Sequence, residues 1–456
     1  MHSTRMSPEE LRASLALSSI FGLRMLGMFV ILPVFAFYAE SLPGGDNLTL
    51  VGIAIGIYGL TQACLQIPYG WWSDRYGRKP VIYFGLAIFA AGSFIAALGV
   101  HIWVVILGRM LQGAGAISAA VMAMTADLTR DEHRSKAMAM IGSTIGATFA
   151  ASLVLSPWLD HAIGVPGIFV MTGVLVLASI WVVHALVPDV PQPAHRPQAR
   201  GLAQFAAVLR DPQLARLDYG VFALHAVLMA LFIAVPLELR AAGLPVERHW
   251  LVYLPVMTGS FLLMLPAVLG TARPARLKAA FVCSIAVLFL AQAAMPWMTG
   301  GPWRIAALLL VFFTAFNALE AHLPTLVSRI APGEARGMAI GVFASIQFFG
   351  AFFGAAAGGF LYGRWGTTGV VILDAALIVI WLAVAAGTRV PAPRSVRAYA
   401  LPTLDRGAAE RLLARLRAQP GVHEARVEGA ERQAVLTVDS DGFDEQNVLH
   451  LLRRDS

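Results

Sequence analysis

Apolar runs of about 20 residues recur along most of the chain, the length a helix needs to cross roughly 30 Å of hydrocarbon. Six lie near 15–38, 49–69, 80–99, 102–125, 137–157 and 166–187. Six more lie near 217–239, 250–270, 279–298, 303–327, 338–361 and 367–387. The first reads as a span rather than a cleavable signal, since it is long, holds Arg24 and lacks a small-residue cleavage pattern. After residue 388 the pattern changes: 21 of the last 68 residues are charged, against 40 of the first 388, which marks a small soluble domain. There 396–401 reads as a strand, and 405–419 as a helix with Ala408, Leu412, Leu413 and Leu416 on one face, stopped by Pro420 and Gly421. Residues 422–427 and 434–438 read as alternating strands around a turn at Gly429, and 443–452 as a second helix. The order βαββα is a ferredoxin-like arrangement without its last strand.

Lysine and arginine fall unevenly between the runs. With the N-terminus on the cytoplasmic side, seventeen lie on that side, from Arg5 and Arg12 to Arg329 and Arg336, and only Arg240, Arg248, Arg304 and Arg364 lie opposite. Both termini are therefore expected in the cytoplasm. A repeat of about 200 residues supports the count: Met138-Ala139 and Met338-Ala339 each follow a basic loop and soon meet Gly142 and Gly341. Between the halves, Pro188, Pro191, Pro193 and Pro197 forbid regular structure before residues 205–217 offer a short amphipathic helix on the cytoplasmic surface. The pattern predicts an all-α membrane protein with twelve transmembrane helices in two pseudo-symmetric six-helix bundles, plus the small α/β cytoplasmic domain. The boundaries are 1–187 for the first bundle, 188–216 for the connector, 217–388 for the second bundle and 389–456 for linker and tail domain.

Composition agrees. At 456 residues with 58% apolar and 13% charged, and a mean hydropathy of +0.69, the chain is neither an ordinary soluble enzyme nor disordered. Its 42 Gly and 25 Pro follow no collagen period. Two cysteines, Cys64 and Cys283, sit far apart in apolar runs and offer neither a disulfide framework nor a metal site. The net charge of +7 is spread between apolar runs, which suits anionic lipid headgroups better than nucleic acid.

The most informative loop joins the second and third runs: Gly70-Trp71-Trp72-Ser73-Asp74-Arg75-Tyr76-Gly77-Arg78-Lys79-Pro80. Gly70 permits close approach of another helix, and Asp74 can face the positive N-terminal end of such a helix, as a latch. This loop resembles the signature loop of the major facilitator superfamily at its Gly, Asp, Gly, Arg and Lys positions. Leu107-Gly108-Arg109 through Gln112-Gly113 and Gly115 resembles the same superfamily's fourth-helix motif. The resemblance implies that the latch partner is the eleventh helix, that Arg78 meets Asp127, and that Gly70, Asp74, Gly77, Arg78, Lys79 and Asp127 hold the halves closed on the cytoplasmic side. The second half keeps basic charge at 271–278 but has no matching acid. Glycines four residues apart, Gly52 and Gly56, Gly142 and Gly146, and Gly350, Gly354 and Gly358, give flat helix faces where the halves can rock. Antiporters of the superfamily carry a fifth-helix motif ending in Gly-Pro; here Ser156 precedes Pro157.

Titratable groups inside apolar runs are the best functional signal, because burying one costs about 2.5–3.5 kcal/mol even on a lenient scale. Arg24, His225 and Glu320 each lie nine residues from a cytoplasmic end or its marker, about 13 Å deep. In the superfamily the first, fourth, seventh and tenth helices line the central cavity, and Arg24, Arg109, His225 and Glu320 fall one on each. Glu320 is the leading candidate proton carrier, with Asn317 on its face; a fixed salt bridge is the alternative for Glu320. His322 flanks Glu320 without sharing its face, and Asp374 and Glu238 are weaker candidates. No Cys occurs in the tail and no phosphate-cradling Gly-X-X-X-X-Gly-Lys loop occurs anywhere, so neither thiolate metal capture nor ATP-driven pumping has its residues. The expectation is a secondary transporter of the bacterial inner membrane, needing no cofactor and catalysing no covalent step. It would exchange protons for a small organic or drug-like compound and export the latter. A proton-coupled importer and a membrane sensor signalling through the tail are the alternatives.

Overall fold

Helices begin where a side chain can satisfy the first free backbone N–H groups. Ser7 and Glu10 close a capping box on α1 (Pro8–Phe29), Asn47 caps α3 (Leu48–Tyr76), and Asp211 accepts from Gln213 and Leu214 to start α9 (Pro212–Ala241). The computed structural model describes residues 6–189, 198–269, 274–297, 301–331, 335–390, 394–400, 406–428, 433–439, 443 and 445–454. Arg5, Pro191, Pro193, Pro197, Arg196, Arg273, Leu401 and the turn at Gly429 lie outside them.

The remaining helices are α2 (Phe35–Glu40), α4 (Arg78–Ala97), α5 (Ile102–Ala114), α6 (Ser118–Asp127), α7 (Asp131–Leu186), α8 (Gln198–Arg210), α10 (Trp250–Leu269), α11 (Pro274–Ala293), α12 (Pro302–Ile330) and α13 (Arg336–Ala386). Among the described residues nine helices, rather than twelve, are long and apolar enough to cross a membrane. The difference has physical causes. Two of the nine, Lys136–Leu186 and Arg336–Ala386, run 51 residues, roughly 76 Å of helix and more than twice a bilayer core. The loops expected within them are single kinks at Gly164 (φ 68°) and Gly366 (φ 59°), a conformation that glycine alone adopts at little cost. The first run is split between α1 and α2 by a break after Phe29, and Arg12, Arg24 and several serines dilute its apolar character. The run at 102–125 is also broken, at Gly115, but still counts as one of the nine over Ile102–Asp127. The connector helix expected at 205–217 runs instead over Gln198–Arg210, because Asp211 restarts the chain as α9.

The tail holds β1 (Arg394–Ala400), α14 (Arg406–Arg417), β2 (Val422–Glu428), β3 (Gln433–Asp439) and α15 (Glu445–Arg454). Its sheet is antiparallel in the order β1-β3-β2, with Val396 opposite Thr437 and Ala425 opposite Leu436. Leu412, Leu416, Ala425, Ala434, Leu436, Val438 and Val448 form a core of its own, separate from the large one shared by the long helices.

Backbone meets backbone at two seams. In the second half, α13 lies on α9: a Cβ on Gly350 would come 2.4 Å from the Phe222 carbonyl, one on Gly354 1.9 Å from that of Ala226, and one on Gly358 2.8 Å from the Ala230 Cα. Between the halves, α3 lies on α13, with Gly52, Gly56 and Gly59 against Ala355, Phe352 and Phe348.

Candidate functional site

The loop between α3 and α4 turns at Gly77, whose φ of 93° ends one helix and starts the next. Arg78 then reaches two carboxylates: it bonds Asp74 at 2.5 Å and donates from Nε to Asp127, the last residue of α6, at 2.9 Å. It also donates to Ser73 at 2.8 Å. Lys79 pairs with Asp189, where the connector begins, at 2.8 Å, and this holds the Asp189 carboxyl below its ordinary pKa. Among the described residues a Cβ on Gly70 would meet only the Ala119 Cβ across the gap to α6, at 3.5 Å. Asp74 is 63% exposed at its side chain and its ion pair is made within its own loop. Arg336 and Gly337 at the start of α13 are exposed, and a Cβ on Gly337 or Gly341 would meet open space, as it would on Gly142 and Gly146 of α7. Pro157 lies farther along α7, beside the buried Ser156.

At the opposite end the halves touch. Arg240 at the end of α9 grips Glu40 of α2 with both terminal nitrogens, at 2.9 and 2.5 Å, and its guanidinium lies 4.6 Å from the centre of the Phe37 ring. Phe37 packs edge-on to His249. Nearer the middle, Phe149 of α7 packs on Phe232 of α9 and on Phe313 and Phe316 of α12, an aromatic plug between the halves. Among the described residues the halves are thus joined at the Glu40–Arg240 end, while Gly142, Gly146, Gly337 and Gly341 face open space at the end bearing the basic loops.

In the second half, α9, α12 and α13 bring His225, Glu320 and Gln347 together. His225 Nε2 lies 3.2 Å from Glu320 Oε1 and 2.7 Å from Gln347 Nε2, while its Nδ1 lies 3.1 Å from the Val221 carbonyl. The Glu320 side chain is 35% exposed and that of His225 10%. A carbonyl only accepts, so Nδ1 carries a hydrogen. Nε2 can then accept from the Gln347 amide, with the Glu320 carboxyl beside it at 3.2 Å. A proton added to this trio has two places to sit, His225 Nε2 and the Glu320 carboxyl. Asn317 donates to Ser260 of α10 instead of joining it, and His322 turns to the Ala267 carbonyl. Asp374 is fully buried on Gln292, and Glu238 accepts from Tyr362 and Thr367.

In the first half, Arg24 and Arg109 are completely buried. Arg24 donates to Ser118 at 3.1 Å and to Gln62, whose own amide reaches Gln66 at 3.1 Å. Arg109 donates to the carbonyls of Gly27 and Ile55 and to Gln112, and so ties α5 to α1 and α3. Both guanidinium groups lie over the Tyr58 ring, at 5.5 and 5.1 Å.

The Major Facilitator Superfamily model matches residues 17–329. The chain belongs to that superfamily. It is 40% identical over 441 residues to the inner membrane transport protein YajR of Escherichia coli, covering 96% of this chain and 97% of YajR. It is 33% identical over 135 residues to multidrug resistance protein 2 of Bacillus subtilis, 29% of this chain and 33% of that one. Among solved structures it resembles a bacterial homologue of the human lysosomal transporter Spinster, in an inward-facing and occupied conformation. The TM-score is 0.64 at 15% identity, covering 83% of this chain and 96% of that one, a likeness of fold alone. The protein is accordingly a multi-pass membrane transporter of the superfamily, whose members carry small molecules.

Gln62, Gln66, Ser118 and Gln347, and the Glu40–Arg240 pair, were not among the residues singled out from sequence. The available signal was the presence of uncharged amides within apolar runs, each a group that needs a partner in hydrocarbon.

Proposed function

We propose that the protein is a proton-coupled efflux antiporter for small organic compounds, working by alternating access in the bacterial inner membrane. In this reading the chain crosses the membrane twelve times, with α7 and α13 each making two crossings and both termini in the cytoplasm. The observation that carries it is the His225–Glu320–Gln347 trio: a partly exposed carboxyl beside the gap between the halves, with an imidazole 3.2 Å away with which it can share a proton. Such a group can load from one compartment and discharge to the other when the opening changes sides. The basic-loop end, open here, then faces the cytoplasm, and Asp74 is disengaged from α13. On closure of that end Asp74 would meet the positive N-terminus of α13, with Arg78 and Asp127 setting its position. The drug-resistance name of the Bacillus relative supports export of drug-like solutes.

The test is proton release on adding a transported compound to the purified, weakly buffered protein. Release from the intact protein and none from Glu320→Gln is expected. Equal release from both, or solute transport that does not depend on a proton gradient, defeats the reading.

A further inference from the structure

We infer that the first half carries a recognition site for an anionic group on the solute, formed by Arg24, Gln66 and the first turn of α6. This rests on the transport reading above and names the chemistry of what is carried.

The fourth apolar run is broken in its middle. The chain leaves α5 at Ala114, turns at Gly115 and restarts as α6 at Ser118. Ile117 gives the new helix no side-chain cap, and the first bond back to it is from Val121 N–H to the Ile117 carbonyl. The N–H groups of Ser118, Ala119 and Ala120 therefore stand at a positive helix end inside the bundle, without intrahelical partners. Broken membrane helices use such ends to hold anions.

What lies against this end is a cation. Arg24 donates to the hydroxyl of Ser118, the first residue of α6. A guanidinium at a positive helix end is repelled by it. Its polar contacts are Ser118, the Gln62 carbonyl oxygen and the Tyr58 face, with no carboxylate among them. Its Nε has no partner, although the residue is entirely buried.

The neighbouring amides repeat the imbalance. Gln62 accepts from Arg24 and donates to both Gln66 and Ser118, which leaves the Gln66 Nε2 unpartnered at 1% exposure. The hydroxyls of Tyr58 and Tyr69, also buried, are unpartnered too. Around Arg24 the unsatisfied side-chain nitrogens are donors, and a carboxylate, sulfonate or phosphate monoester would accept from them and neutralise the charge. The cluster is closed to solvent here, so binding belongs to another state of the cycle.

The experiment uses the purified full chain in detergent, with benzoate, benzenesulfonate and phenyl phosphate as anions and benzamide and benzylamine as neutral and cationic counterparts. Binding is read by calorimetry and by the unfolding midpoint. At least one anion should bind and stabilise, and the amide and amine should not. Arg24→Gln should weaken that anion by roughly tenfold or more, and Arg24→Lys by less. Gln66→Met, which leaves Arg24 in place, should weaken it severalfold and keeps the test open if Arg24→Gln does not fold. The inference is overturned if no anion binds, if amide or amine binds as well, or if the variants bind the anion as the intact protein does. Proton-driven export of benzylamine unchanged by Arg24→Gln would remove the anion site and leave the transport reading standing. Anion binding without movement of the solute in proteoliposomes would do the reverse.

Discussion

Arg240 holds Glu40 across the junction of the two halves with two parallel hydrogen bonds, while Asp74, at the far end, is held only by Arg78 of its own loop. One end of the molecule is fastened and the other is not. Breaking the fastening should therefore change which end is open more than it changes folding. Both partners of the pair are nearly half exposed, which limits its worth to about 0.2–1 kcal/mol. Glu40→Gln should shift the balance between the two openings by no more than about fivefold. Distances between spin labels placed across each end report the shift, and an unchanged distribution would show that the apolar contacts alone hold this end.

The same pair predicts a response to acid. The hydrogen bond from Arg240 holds the Glu40 carboxyl below its ordinary value. A depressed carboxylate contributes fully above its unfolded pKa and loses its contribution as pH falls through the depressed folded one. Acidification on the Glu40 side should loosen this end in the intact protein and leave Glu40→Gln indifferent, in the same label measurement.

Glu10 offers a parallel within the first half. Arg130 donates to it from Nε, Nη2 and the backbone, and pulls its carboxyl well below the usual 4.5. Stability from this contact is complete above that ordinary value and fades as the pH drops below it. The unfolding midpoint of Glu10→Gln should be lower than that of the intact protein at neutral pH, and the two should converge in acid.

Glycine substitutions should separate seams from open faces. Gly354→Ala places a Cβ into the Ala226 backbone and should destabilise by about 1–3 kcal/mol, whereas Gly142→Ala meets open space and should leave the unfolding midpoint unchanged. A transport defect in Gly142→Ala with normal stability would show that this face packs in the other state of the cycle.

Much of this architecture is legible in the sequence because crossing a bilayer demands a long apolar run wherever it occurs, and the basic loops mark the ends. Depth was readable too: His225 and Glu320, placed at one depth by counting residues, do meet. Direction around the helix was not. Arg24 and Arg109 share a helix class with those two but turn inward among α1, α3 and α5, since a uniformly apolar run gives no periodic stripe to say which face looks where. The breaks after Phe29 and at Gly115 were hidden for a related reason: hydropathy averages over a turn and does not register a backbone that stops and restarts. Gln347 was overlooked because an amide carries no charge, yet it completes the trio.

The seam between Gly52, Gly56, Gly59 and α13 sits toward the fastened end, where the glycines of α3 offer no side chain to interlock with the backbone of Phe348, Phe352 and Ala355. It has the properties of a fulcrum set near one tip of a lever. A slight roll at that contact, small enough for the exposed Glu40 and Arg240 side chains to follow without letting go, would sweep the far tips bearing Gly142 and Gly341 through a much larger arc. Under alternating access a wide mouth would follow from mechanical advantage, and a bulky residue at the pivot would seize it without touching the solute.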